Sequence, residues 1–218
     1  QEAALDYYLN SIKDVFEQCG PADSIAAIVV EPLQGEGGFI PAPIEWVKAV
    51  RKICDENGIL LVADEVQTGF CRTGRMFATQ YWEEAGVQPD ILATAKSIAA
   101  ALKTIEIMER DDLAGCSCEI GEKVSKRFNE WKEKYPVIGD VRGLGGMIGV
   151  EFVKDKESKE PNPEFVKQLI QSALQKGLLL ENAGSAGNVI RFLAPLCMTD
   201  EQMEAGLKIF EDAIIENL

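Results

Sequence analysis

Two residues in this chain have the types and spacing for chemistry on an aldehyde-bearing heterocycle. Lys96 follows the apolar run Pro89-Asp-Ile-Leu-Ala-Thr-Ala-Lys-Ser-Ile98, and Asp64 ends the earlier apolar run Gly58-Ile-Leu-Leu-Val-Ala-Asp64. Each run reads as a buried strand, and in open parallel sheets ligands gather beyond the carboxyl ends of strands. A lysine there can form a Schiff base, and a carboxylate there can keep a pyridine nitrogen protonated as an electron sink. Taken alone, the pair reads more readily as a solvated lysine and a turn-forming aspartate. With no histidine in the sequence, Ser-His-Asp and Cys-His mechanisms are excluded. Proton transfer falls to Lys, Asp, Glu, Tyr or Cys.

The elements that must position these residues follow from periodicity. A helix is expected over residues 4–19, a buried strand over 25–30, and a helix over 43–57 with Trp46, Val47, Val50 and Ile53 on one face and Gly58 as its stop. Strand 59–64 completes a βαβ unit, a short helix is expected over 76–85, and a strand over 91–94. From Leu102 one long charged helix is expected through Tyr135. Strands 137–142 and 147–153, helix 163–176, strands 178–181 and 188–193, and a helix from the Thr199 cap to Ile215 complete the chain. The pattern is a parallel α/β half followed by an α+β half, with the boundary near residue 110. Gly143-Leu-Gly-Gly-Met-Ile-Gly149 precedes a strand rather than opening a helix, so it is not a dinucleotide loop.

Composition narrows the partners. The chain has 218 residues, 46% of them hydrophobic, enough for a sizeable core. A formal charge of −14 with no Lys/Arg block argues against nucleic acid or an anionic membrane surface. The six cysteines are dispersed, and the lone Cys116-x-Cys118 without histidine makes a metal site improbable. No signal pattern or membrane-spanning run is visible, so a reduced cytoplasmic setting is expected.

Four motifs in order, Glu31-Pro-Leu-Gln-Gly-Glu-Gly-Gly38, Leu61-Val-Ala-Asp-Glu-Val-Gln-Thr-Gly-Phe-Cys-Arg-Thr-Gly74, Pro89-Asp-Ile through Lys96-Ser-Ile98, and Ile138-Gly-Asp-Val-Arg-Gly-Leu-Gly145, resemble those of the class III pyridoxal phosphate aminotransferases. The resemblance covers almost the whole chain and is greatest to 4-aminobutyrate aminotransferases. It implies the aspartate-aminotransferase-like fold (PLP fold type I), with residues 1–110 as the C-terminal part of the large cofactor domain and 111–218 as the small domain. It also implies a homodimer that transfers an amino group from an ω-amino acid, first of all 4-aminobutyrate, to 2-oxoglutarate. By the same resemblance Lys96 forms the Schiff base with pyridoxal 5′-phosphate and Asp64 pairs with its pyridinium. Val66 packs on the ring and Gln67 bonds its hydroxyl, while Glu65 and Arg72 hold the loop. Arg191 takes the α-carboxylate of the acceptor, and Glu36 pairs with Arg191 when the donor lacks one.

The chain also departs from the family. After Ile98 a Gly-Gly and Pro-containing segment and a Gly-Gly-Thr-Tyr-type loop are missing, as is the N-terminal half that carries the phosphate loop and the aromatic-His pair. Either the sequence joins the ordered parts of a longer enzyme or it is internally shortened, and the coincidence of the missing parts with cofactor-contacting segments favours the first. Alternatives are a non-catalytic fragment of the family, an acetylornithine, ornithine or diamine aminotransferase, an aminomutase or decarboxylase on the same fold, and an unrelated βαβ ligand-binding protein.

Overall fold

The computed structural model describes residues 2–94 and 98–218. Helix α1 (Glu2–Gln18) and a 3-10 turn (Ala22–Ser24) lead into strand β1 (Ala27–Val30). A small hairpin follows, β2 (Leu33–Gln34) and β3 (Ile40–Pro41), too short for periodicity to signal. Helix α2 (Ile44–Asn57) ends at Gly58, whose N–H reaches the Cys54 carbonyl and whose left-handed φ of 69° turns the Ile59 N–H onto the same oxygen at 3.0 Å. Strand β4 (Leu60–Asp64), helix α3 (Thr79–Glu84) and strand β5 (Ile91–Ala93) complete a parallel sheet of order β1-β4-β5. Leu61 and Ala63 alternate inward from β4 onto Val47, Val50 and Cys54 of α2, with Trp82 and Val87 closing that core.

Asp90 fastens this layer. Its carboxylate accepts hydrogen bonds from the Leu61 N–H and from Arg51 Nη1, both at 2.7 Å. The Arg51 bond, followed by the Leu61 N–H, holds the Asp90 carboxyl below the ordinary carboxylate range.

The expected helix through Tyr135 is two helices, α4 (Ile98–Arg110) and α5 (Leu113–Lys134). Asp112 breaks it with φ 45°, and its side chain caps α5 by accepting from the Gly115 N–H at 3.2 Å. Helix α4 begins directly after the residues left undescribed and ends at Arg110. Strands β6 (Ile138–Leu144) and β7 (Met147–Phe152), helix α6 (Pro163–Gln175), strands β8 (Glu181–Ala183) and β9 (Val189–Phe192), and helix α7 (Asp200–Glu216) complete the fold. Thr199 and Gln202 form the capping box of α7.

The second sheet is antiparallel, in the order β6-β7-β9-β8. Phe128 and Trp131 of α5, Leu169 of α6, and Leu207 and Phe210 of α7 bury Ile148, Val150, Phe152 and Ile190 of the strands. The strand expected over 178–181 instead begins at Glu181. Leu178 and Leu180 pack against the core outside the ladder, and Leu179 is exposed. At the other end of the sheet, Gly145 of the β6–β7 turn lies directly under α5. A Cβ on Gly121 would stand 2.1 Å from the Gly145 carbonyl oxygen.

Candidate active site

Strand β4 delivers Asp64 half-buried at the carboxyl end of the parallel sheet. Its Oδ1 accepts from the Val66 N–H at 3.0 Å, which fixes the carboxylate across the turn that follows. The next residue points inward. Glu65 is fully buried and accepts from Thr68 Oγ1 at 2.5 Å and from the Thr79 N–H at 2.7 Å, so it binds the loop to the first turn of α3. Arg72 donates from Nη1 to the Ala194 carbonyl, and its own carbonyl accepts from Ser117 Oγ. Both therefore hold the loop, as expected. Val66 is left 53% exposed beside Asp64.

Lys96 lies outside the described residues. What leads to it is described: Ala93 pairs in register with Asp64, and its carbonyl accepts from the Glu65 N–H at 2.9 Å.

Gln67 turns from this loop toward the β2–β3 hairpin. Its carboxamide lies so close to Gly35 that a Cβ there would stand 1.3 Å from Gln67 Oε1. The Gly35 N–H in turn donates to Glu31 Oε2 at 2.9 Å. Glu36 is the next residue, so Gln67 and Glu36 come to one place from separate loops. A cleft of about 950 Å³ opens along this edge, with Asp64, Glu31, Gln34, Trp46, Val30 and Tyr8 among its walls.

The second sheet grips the hairpin. The Gly184 N–H donates to the Glu36 carbonyl at 2.8 Å, and Arg142 Nε donates to the Gly38 carbonyl at 3.0 Å. Arg142 is itself held by Asp140 and Glu151. Burial raises the Asp140 pKa, but hydrogen bonds from Arg142 and Lys132 outweigh it and leave the carboxyl below its usual range.

Arg191 projects from β9 to meet the hairpin. Nη1 bonds Glu36 Oε1, and Nη2 bonds Glu181 Oε2 at 2.8 Å. Its Nε is buried with no partner among the described residues. Sequence reasoning found Glu36 and Arg191 but missed Glu181, Gly184 and Arg142. Arg142 stood inside a quoted motif, whereas Glu181 becomes a partner only through the register that sets it opposite Arg191 on β9.

Comparison with known proteins accords with this layout. The sequence model of the aminotransferase class-III family matches residues 2–102 and 98–214. The chain is 40% identical to the 5-aminovalerate aminotransferase DavT of Pseudomonas putida, over 98% of this chain and 57% of that protein. It is 36% identical to a probable 4-aminobutyrate aminotransferase of Bacillus subtilis, over 94% of the chain and 55% of the relative. It is 37% identical to an alanine/serine racemase of Pyrococcus horikoshii, over 98% and 50%.

Among solved structures, an amine transaminase from an uncultivated Pseudomonas species in a PLP-bound form superposes with a TM-score of 0.86 at 29% identity, covering all of this chain and 58% of that one. A Bacillus anthracis aminotransferase gives 0.86 at 26%, over 95% and 56%. The chain thus spans little more than half the length of the relatives it matches. The DavT alignment runs over 248 residues, more than the 218 present, and the two family matches meet at 98–102. Both facts agree with a segment missing after Lys96. By its motifs, its fold and the span of both family matches, the chain belongs to the class-III aminotransferase family.

Proposed function

We propose that the chain serves a pyridoxal phosphate-dependent transfer of an amino group from an ω-amino acid, 4-aminobutyrate first, to 2-oxoglutarate. The observation that carries this reading is the Arg191–Glu36 pair on the hairpin that also receives Gln67. A planar guanidinium suits a carboxylate, and a neighbouring glutamate can replace that carboxylate when the substrate has none. One site can then alternate between an α-carboxylated acceptor and an ω-amino donor. Relatives named for 5-aminovalerate and 4-aminobutyrate support the substrate class.

The residues at the end of β4 fit the pyridine end of the cofactor. Asp64 is a fixed carboxylate for a ring nitrogen, Val66 an exposed apolar cover for a ring face, and Gln67 an amide for a ring hydroxyl. When bound, pyridoxal phosphate supplies the electron sink for amino transfer. With the cofactor bound, Asp64 would hold the proton of the ring nitrogen, and Lys96 Nζ would be the amine that holds the aldehyde end and moves a proton. Arg191 orients the acceptor.

In this reading residues 1–110 belong to the large cofactor domain and 111–218 to the small one, each with its own sheet and core. The protein works as a cytoplasmic homodimer. The resemblance supports the dimer, and six free cysteines support the compartment.

A second reading, a non-catalytic member of the family that keeps these residues, is favoured by the internal segment that the DavT alignment spans beyond this chain. Purified protein with added cofactor, 4-aminobutyrate and 2-oxoglutarate decides between them. Glutamate formation supports amino transfer, and greater activity with ornithine, acetylornithine or a diamine changes the donor alone. No glutamate and no substrate-dependent spectral change favours the non-catalytic reading.

A further inference from the structure

Arg191 has a second carboxylate that the gating role does not need. Glu181 stands opposite it in the β8–β9 ladder and bonds Nη2 at 2.8 Å, while Glu36 takes Nη1. The two glutamates are held differently. Glu36 lies in the turn of a hairpin, with its side chain 79% exposed. Glu181 has its backbone set opposite Arg191 by strand register, while its side chain is 68% exposed.

A guanidinium can present two forks, Nη1 with Nη2 or Nε with Nη2. Both use Nη2, the nitrogen on Glu181. When Glu36 moves aside, Arg191 is still paired through one hydrogen of Nη2, and an arriving carboxylate takes the remaining hydrogens beside a like charge. We infer that Glu181 is a specificity-determining residue that weakens the hold of Arg191 on an incoming carboxylate and so favours release of the α-carboxylated acid. The inference rests on the proposed acceptor role of Arg191. It applies to anionic ligands of this site as a class, dicarboxylates above all.

Glutarate, which cannot accept an amino group, is the probe. It is titrated calorimetrically into wild type and into Glu181→Gln, Glu181→Asp, Glu36→Gln and Arg191→Lys variants, with the Arg191 Nε–H resonance followed by NMR. Glu181→Gln keeps a hydrogen-bond acceptor and removes the charge. It is expected to tighten glutarate binding about two- to fivefold, the range for one partly exposed ion pair, and to shift the Arg191 resonance. Glu181→Asp is expected to fall between it and wild type.

If Arg191→Lys abolishes binding while Glu181→Gln leaves it unchanged or weaker, the inference is overturned and the acceptor role of Arg191 stands. If glutarate binds equally well with and without Arg191, or to none of the variants, both fail together.

Discussion

Arg191 on β9 and Glu36 in the β2–β3 hairpin, 155 residues apart in sequence, form an ion pair whose halves differ sharply in exposure, 12% against 79%. The cation is anchored and the anion lies in solvent. Such a pair is worth little because water screens the exposed partner, and a gate that must open needs that weakness. A double-mutant cycle on Glu36→Gln and Arg191→Lys, read by urea denaturation, is predicted to give a coupling below about 1 kcal/mol. A coupling above about 2 kcal/mol would describe a permanent strut instead.

The site depends on Gly35 for room. A Cβ there would overlap the Gln67 carboxamide, so Gly35→Ala must push Gln67 away from the hairpin. The expected result is weaker cofactor binding by about three- to tenfold, the size of one lost hydrogen bond, matching Gln67→Ala. The double variant should be no worse than either single one. Additive losses in a fluorescence titration would show that Gly35 acts by another route.

Helix α5 rests on the β6–β7 turn through two glycines. Gly121→Ala would drive a Cβ to 2.1 Å from the Gly145 carbonyl oxygen, a backbone atom that cannot step aside. A loss of about 2–4 kcal/mol is predicted, at or just above the usual cost of overpacking. Gly58→Ala meets no atom within 4 Å and is limited to the left-handed backbone penalty, about 1 kcal/mol. Thermal melts of the two variants should rank in that order.

Much of this architecture is legible in the sequence, and what escapes it has physical causes. Gly58 and Thr199 end and begin helices by local chemistry that residue type reveals. The break at Asp112 was hidden because apolar periodicity continues on both sides of it, although an aspartate before Leu113 is an ordinary helix cap. The β2–β3 hairpin has two residues per strand and cannot show a period. Glu31, Glu36 and Arg191 could be read from motifs, but Glu181 and Gly184 enter through strand register and backbone contact, which one sequence does not display.

Acid should loosen the parallel layer through Asp90. Its folded-state pKa is lowered by the bonds from Arg51 and the Leu61 N–H. The stability this provides is present above the unfolded carboxylate pKa and is lost as pH falls through the depressed folded value. Asp90→Asn, which keeps an acceptor oxygen at a carboxylate partly screened by solvent, is predicted to cost about 1 kcal/mol near neutral pH and to flatten the decline in stability below about pH 5. Denaturation midpoints that fall equally in both proteins would remove Asp90 from the account.

The central claim is that Lys96, reached from β5 beside Asp64, is the lysine that holds the cofactor. The most direct measurement is borohydride reduction of the protein with pyridoxal phosphate, followed by intact mass and peptide mapping, in wild type and Asp64→Asn. One label per chain, confined to Lys96 and diminished by Asp64→Asn, is predicted. Label spread over exposed lysines such as Lys48 and Lys52, with no preference for Lys96, would contradict it.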